Sequence, residues 1–225
     1  NRSSKKCYSY TQVNCGGITL LAHRIEALKN RQVDILGHEQ CLKTAILLPL
    51  VEWDGKICLL FEKRSPTLQH QPGEICFPGG VKDPDDPSAL HTAIRETCEE
   101  LGVTPDNIEV ISELDTLITP SSLIMRSFVA WIKDSSLIHI NPDEVDKVFM
   151  IPLDFLLEYQ PKEYDLILKP DLSNNFPVEL IPQGKNYPFR LNRVQQFFYL
   201  WEGEVIWGLT ARILNHFIDL LQGNN

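Results

Sequence analysis

The stretch from Phe77 to Val103 reads FPGGVKDPDDPSALHTAIRETCEELGV, and its second half carries both ends of a helix. Asp86 is placed as the N-cap, Pro87 falls in the first turn where its missing N–H costs nothing, and Gly102 can turn the chain left-handed at the end. At ~100° per residue, Leu90, Ala93, Ile94, Thr97 and Leu101 form one stripe, with Glu96, Glu99 and Glu100 on the opposite side. The expectation is one core face and one acid face.

Glu96 is an i,i+3 and i,i+4 neighbour of Glu99 and Glu100, and such like-charge pairs cost about 0.2–0.5 kcal/mol each when nothing neutralises them. A bare ExxEE pattern reads as a solvated face balanced by Arg95. A hard cation is the other reading, because Mg²⁺ and Mn²⁺ prefer oxygen ligands and commonly sit between carboxylates and substrate phosphates. The PGG that follows a predicted strand favours the cation, since Gly79 and Gly80 let backbone come close to a phosphate or its metal.

At these residues the chain resembles the Nudix family, whose box is a glycine, a spacer and then REuxEExGu with u apolar. Arg95, Glu96, Glu99, Glu100, Gly102 and Val103 fall on that pattern, with Thr97 at the weaker apolar position. Pro87 stands where the general box has a Glu, and the spacer from Gly80 is one residue longer. Both features recur in the coenzyme A pyrophosphatase branch, which the chain resembles more closely. Upstream, LLFEKRSPTLQHQPGEICFPGG is similar to that branch's own motif, with Arg64, Ser65, Gly73, Phe77, Pro78, Gly79 and Gly80 in matching places. Gln69 replaces a second arginine and Glu62 replaces a threonine. NPDEVDKVFMIPLDFLL and IWGLTARIL carry the resemblance over roughly Thr44 to Ile213.

The resemblance implies an α/β fold, a Nudix-type α/β/α sandwich around a mixed β-sheet. It also implies a metal-dependent pyrophosphohydrolase acting on a small nucleoside diphosphate substrate. Mg²⁺ or Mn²⁺ would be held by Glu96, Glu99, Glu100 and the Gly80 carbonyl, with Arg95 bracing the carboxylates. Glu144 is expected as a further ligand or general base, or else as a solvated loop glutamate. Arg64, Ser65, Gln69, Gly73, Phe77, Pro78 and Gly79 would line the substrate site, and Arg126 is read either as a phosphate contact or as a surface arginine. Coenzyme A or an acyl-CoA would be cut to 3′,5′-ADP and (acyl-)4′-phosphopantetheine. ADP-ribose or a dinucleotide is the alternative substrate, and a non-catalytic nucleotide-sensing domain the alternative class.

Outward from this centre, TAILLPLVEW and KICLLFEKR flank Asp54 and Gly55 and read as a β-hairpin. Further strands are expected over Glu74 to Phe77, Ile108 to Leu117 and Ile124 to Ile132, then a loop through Asn141 to Asp146 and an apolar segment from Val148 to Leu153. Gln160 to Pro188 shows no clear periodicity and is expected as a long excursion, near the substrate mouth or simply on the surface. Ile206, Leu209, Ile213, Phe217 and Leu220 mark a closing helix, and an amphipathic helix is expected from Ile18 to Arg31. Residues 1–40 are thus an extension whose helix packs on the core, and residues 41–225 a single hydrolase domain.

The 43% hydrophobic and 23% charged fractions suit an ordinary globule. No apolar run is long enough to span a bilayer, and NRSSKKCYSY has no apolar stretch behind its lysines, so a cytoplasmic protein without a membrane or secretory segment is expected. Six cysteines without a CxxC pair read as free thiols. A net charge of −9, from 30 acidic against 21 basic residues, works against long nucleic acid as a partner. A homodimer stays open.

Overall fold

The computed structural model describes residues 15–173 and 175–224, and the chain divides after Gln40 into two units. In the first unit, α1 (Cys15–Glu26) continues into a 3-10 turn (Ala27–Asn30), earlier than the span expected from spacing. The thiol expected at Cys7 lies outside the described residues, as do the side chains of Cys15 and Ile18.

The second unit opens with β1 (Leu42–Trp53) and β2 (Lys56–Arg64), joined as predicted at Asp54 and Gly55. Both turn residues have positive φ, 51° and 69°, which matches the right-handed twist of the flanking strands. β3 (Ile75–Cys76), β4 (Gly79–Val81) and α2 (Ala89–Leu101) follow. Then come β5 (Ile108–Glu113), β6 (Leu117–Ile118), β7 (Leu123–Ile132), β8 (Val145–Pro152) and α3 (Leu153–Glu158). β9 (Lys162–Leu168), β10 (Asn192–Trp201), β11 (Glu204–Ile206) and α4 (Gly208–Gln222) complete the chain.

The main sheet is mixed: β1 and β7 are parallel, and the other pairs are antiparallel. Period-2 alternation along its central strands builds two cores. Ala45, Leu47 and Val51 of β1, with Cys58 and Leu60 of β2, pack beneath Ala89, Ala93 and Leu101 of α2. Ile46, Leu48, Leu50, Leu59 and Phe61 pack on the other side against Leu156 of α3 and Ile213, Leu214 and Phe217 of α4. This is the expected α/β/α sandwich. Each wholly buried leucine contributes roughly 1.5–3 kcal/mol.

One departure from simple pairing creates the site. β1 and β2 are bonded only near their hairpin, from Leu50↔Leu59 to Trp53↔Lys56. Beyond that they separate, and the chain from Ile75 to Val81 is wedged between them. Its first part pairs with β2 at Lys63↔Ile75 and Glu62↔Cys76, and its second with β1 at Ile46↔Gly79 and Thr44↔Val81.

Three expectations are corrected. The N-cap of α2 is Ser88, whose Oγ accepts from the His91 N–H at 3.1 Å, so Asp86 and Pro87 precede the cap. Gly102 does close the helix in the left-handed region, at φ 66°. The supposed excursion contains β9, which with β10 and β11 forms a second, three-stranded sheet. β9 is exposed along nearly all its length, so no core face imposed a period on its sequence. In α4 the buried stripe is Ala211, Ile213, Leu214, Phe217 and Ile218, which includes only Ile213 and Phe217 of the helical residues expected. Among the described residues no helix is long and apolar enough to cross a membrane.

Candidate functional site

Asp86, freed from capping, organises the outer end of the acidic helix. Its buried carboxylate accepts from Arg95 Nε at 3.2 Å and Nη2 at 3.1 Å, from Thr92 Oγ1 at 2.9 Å and from the Asp83 N–H at 3.0 Å, and it pairs with His91 Nδ1 at 2.9 Å. The Arg95 guanidinium, ahead of these other donors, holds the Asp86 carboxyl well below the usual carboxylate range. Arg95 then spends its remaining donors on Glu96 Oε1 and Glu99 Oε2, each at 2.8 Å. It therefore braces two of the three helix carboxylates.

Those three carboxylates do not share one solvated face. Glu99 is exposed and Glu96 half-buried, whereas Glu100 is buried at 4% exposure with Oε2 accepting the Gly79 N–H at 2.9 Å. A second acid lies inside. Glu62 of β2 is 0% exposed, its Oε1 takes the Cys76 thiol at 3.2 Å, and its Oε2 has no partner. Burial, and then the Glu62 charge, pushes the Glu100 carboxyl up. Burial first, with Glu144 and Glu96 adding to it, also raises Glu62. Glu96 rises for the same first reason, desolvation. Three carboxyls, Glu62, Glu96 and Glu100, are thus held above their ordinary ionisation range, by burial first and by neighbouring carboxylate charge second.

Each glycine of the PGG turn has its own necessity. At Gly79, φ is 149°, and an added Cβ would stand 2.4 Å from the Ala45 carbonyl oxygen and 2.6 Å from Ile46 Cα. At Gly80 an added Cβ would stand 2.4 Å from the Glu96 carboxyl carbon. The Glu96 carboxylate can lie this close to β4 only because that atom is missing.

On the sheet face opposite α2, a cleft of about 930 Å³ opens beside the same turn. Arg64, Gln69, Phe77, Gly79 and Gly80, all expected at the site, line it. Trp207 and Arg212 at the start of α4, together with Met125, line it too, and the sequence reading missed them. The only signal for Trp207 and Arg212 was the IWGLTARIL match, which carries no role with it, and Met125 lies outside that match.

Other expected residues are placed differently. Ser65 is buried, bonding Thr67 Oγ1 at 2.8 Å and donating its N–H to the Glu144 carbonyl at 2.8 Å, so it anchors the loop that carries Glu144. Pro78 gives its carbonyl to the Leu47 N–H at 2.8 Å. Phe77, besides lining the cleft, is stacked on Phe61 at 4.8 Å. Gly73 bonds the Arg64 carbonyl at 3.1 Å with φ 72°, closing the loop from Arg64 to Glu74. Glu144 ends the turn before β8, close enough for its charge to act on Glu62, Glu96 and Glu100. Arg126 is ion-paired to Glu113 and lines a different pocket, so the surface reading describes it.

A sequence profile described as NUDIX domain matches residues 42–169, more than half of the chain. The chain belongs to the Nudix family. Mouse "Peroxisomal coenzyme A diphosphatase NUDT7" is 38% identical over 124 residues, covering 55% of this chain and 52% of that protein. An "Uncharacterized Nudix hydrolase NudL" from Photorhabdus laumondii is 30% identical over 79% of this chain and 84% of its own length. "Nudix hydrolase 3" of Caenorhabditis elegans is 32% identical over 79% of this chain and 72% of that protein. The chain spans about half the length of the mouse relative and most of the other two.

Nudix hydrolases act on small nucleotide derivatives and generally use a divalent cation. The donors in this chain suit such an ion in kind: they are carboxylate oxygens, one of them buried without a partner, and their mutual repulsion is what a cation relieves. Among the described residues no three His, Cys, Asp or Glu side chains already converge on one point. Among them Cys58, Cys76 and Cys98 are free thiols.

Proposed function

We propose that this Nudix hydrolase cleaves the diphosphate of coenzyme A or an acyl-CoA, giving 3′,5′-ADP and (acyl-)4′-phosphopantetheine, with Mg²⁺ or Mn²⁺. The observation that carries the reading is the double use of the PGG turn. Its one side meets the buried carboxylate of Glu100, and its other side borders a cleft containing Arg64. A diphosphate lying across Gly79 and Gly80 has backbone it can approach closely, a guanidinium in reach of the cleft and acidic ligands for its cation. The match of Arg64 to Gly80 with the coenzyme A branch and the printed activity of the mouse relative support the substrate.

Glu96, Glu99 and Glu100 with the Gly80 carbonyl would hold the cation. When bound, it polarises the phosphoryl oxygens and lowers the pKa of a coordinated water. Arg95 keeps Glu96 and Glu99 oriented and does not face the cleft. Glu144, held by the Ser65 contact, is the residue we assign as general base or further ligand.

A second reading, ADP-ribose or a dinucleotide as substrate, is favoured by Gln69 lining the cleft where an arginine would clamp phosphate. Incubation with each diphosphate and Mg²⁺ or Mn²⁺, with products identified by mass, separates the two. 4′-Phosphopantetheine as the major product is expected, and faster release of AMP from ADP-ribose would overturn it. No product from any diphosphate would instead leave a nucleotide sensor. The mouse relative is named as peroxisomal, against the cytoplasm expected from sequence, and fractionation of the tagged protein decides the compartment.

A further inference from the structure

Strand β2 alternates between the two cores. Leu59 and Phe61 face α4, Cys58 and Leu60 face α2, and Glu62 continues the second row. Its carboxylate is thereby carried into the apolar interior beneath the acidic helix, at 0% exposure. A buried carboxylate oxygen without a donor is strongly unfavourable, and a small apolar side chain would remove the penalty without disturbing the strand.

The neighbours of Glu62 narrow what its free oxygen is for. Register pairs Glu62 with Cys76, three residues before Gly79, whose N–H holds Glu100. The two buried carboxylates therefore reach the same short segment, one from the strand and one from the helix. Arg95 satisfies Glu96 and Glu99, but among the described residues no Lys, Arg or His hydrogen-bonds or ion-pairs with Glu62 or Glu100. The thiol of Cys76 supplies one weak donor to Oε1 and nothing to Oε2. An ion of positive charge and small radius is the partner that two such acids lack.

We propose that Glu62 is a metal-binding residue of this site, using its unpartnered Oε2 together with Glu100 to hold a divalent cation from the strand side. The inference rests on the metal-dependent reading above and adds a ligand from outside the acidic helix. Glu62 stands where the resembling branch carries threonine, so the extra ligand is a property of this chain.

Direct binding to the metal-stripped full chain tests it, by calorimetric Mn²⁺ titration and by the spin resonance of free Mn²⁺, alongside the melting shift at saturation. Glu62→Gln preserves volume and removes the charge. It should weaken Mn²⁺ binding by at least about tenfold, or abolish one bound equivalent, and shrink the melting shift. The metal-free variant should melt no lower than the wild type. Glu62→Leu, tested in parallel, should show the same loss of binding. Mn²⁺ affinity and stoichiometry within twofold of wild type in either folded variant would overturn the proposal while leaving the metal-dependent reading intact. A wild-type chain that binds no Mn²⁺ would remove both.

Discussion

At the residue scale, the helix carboxylates differ in what surrounds them, and their substitutions should differ accordingly. Glu99 is exposed and tied to Arg95, while Glu100 is buried against the Gly79 N–H. Both Glu99→Gln and Glu100→Gln should lower turnover by at least about a hundredfold, since each removes a charge from the cation site. Only Glu100→Gln should also raise the melting temperature of the metal-free protein at neutral pH, because it alone removes a buried carboxyl that must take up a proton on folding. Turnover near wild type in both variants would move the cation elsewhere. Gln69 lines the cleft, so Gln69→Arg should raise kcat/KM for coenzyme A relative to ADP-ribose by about one to two orders of magnitude. An unchanged ratio would mean that position 69 only supports its loop.

At the element scale, the contact between β4 and α2 depends on the two glycines in different ways. Gly79→Ala meets backbone at 2.4 and 2.6 Å and a φ of 149°, so it should destabilise the fold by about 2–4 kcal/mol in denaturant titrations. Gly80→Ala meets only the end of the Glu96 side chain, which can swing away. That variant should melt close to wild type yet lose roughly tenfold or more in Mn²⁺ affinity, as the displaced carboxylate leaves its place. The start of α2 is fixed by Asp86, whose carboxyl lies below its ordinary value of 3.8 because Arg95 bonds it. A carboxyl depressed in this way adds stability above its ordinary pKa, and that stability is lost as pH falls toward its folded value. Asp86→Asn should therefore lower the melting temperature by several degrees at neutral pH, with the difference narrowing in acid.

At the scale of the whole molecule, the buried acids give the metal-free protein a pH dependence of the opposite sign. Glu62 and Glu100 keep their protons in the fold at pH values where the unfolded chain has released them, so stability falls as pH rises from about 4.5 through neutrality. Divalent cation should flatten that slope, because it favours the ionised carboxylates in the folded state. Melting curves from pH 5 to 8 with and without Mn²⁺ check this, and parallel curves would mean that the ion does not meet these acids.

What the sequence determined by itself is whatever local spacing controls. The hairpin at Asp54 and Gly55, the helix closed by Gly102 and the family box were all legible, because turn chemistry and helical period are written in adjacent residues. Strand β9 was not legible, since an exposed strand has no buried face to imprint a period. The true N-cap was missed because Asp86 and Ser88 are both good capping residues, and only the arrival of Arg95 and Thr92 draws Asp86 away. Glu62 was visible only as a departure from a motif. Its meaning required the splaying of β1 from β2 and the wedge of Ile75 to Val81 between them, which brings residue 62 against residue 76 and residue 79 against residue 100. Tertiary structure alone decided that an acid from a strand and an acid from a helix would be buried at one turn, because burial and charge coupling belong to three-dimensional neighbours and leave no period along the chain.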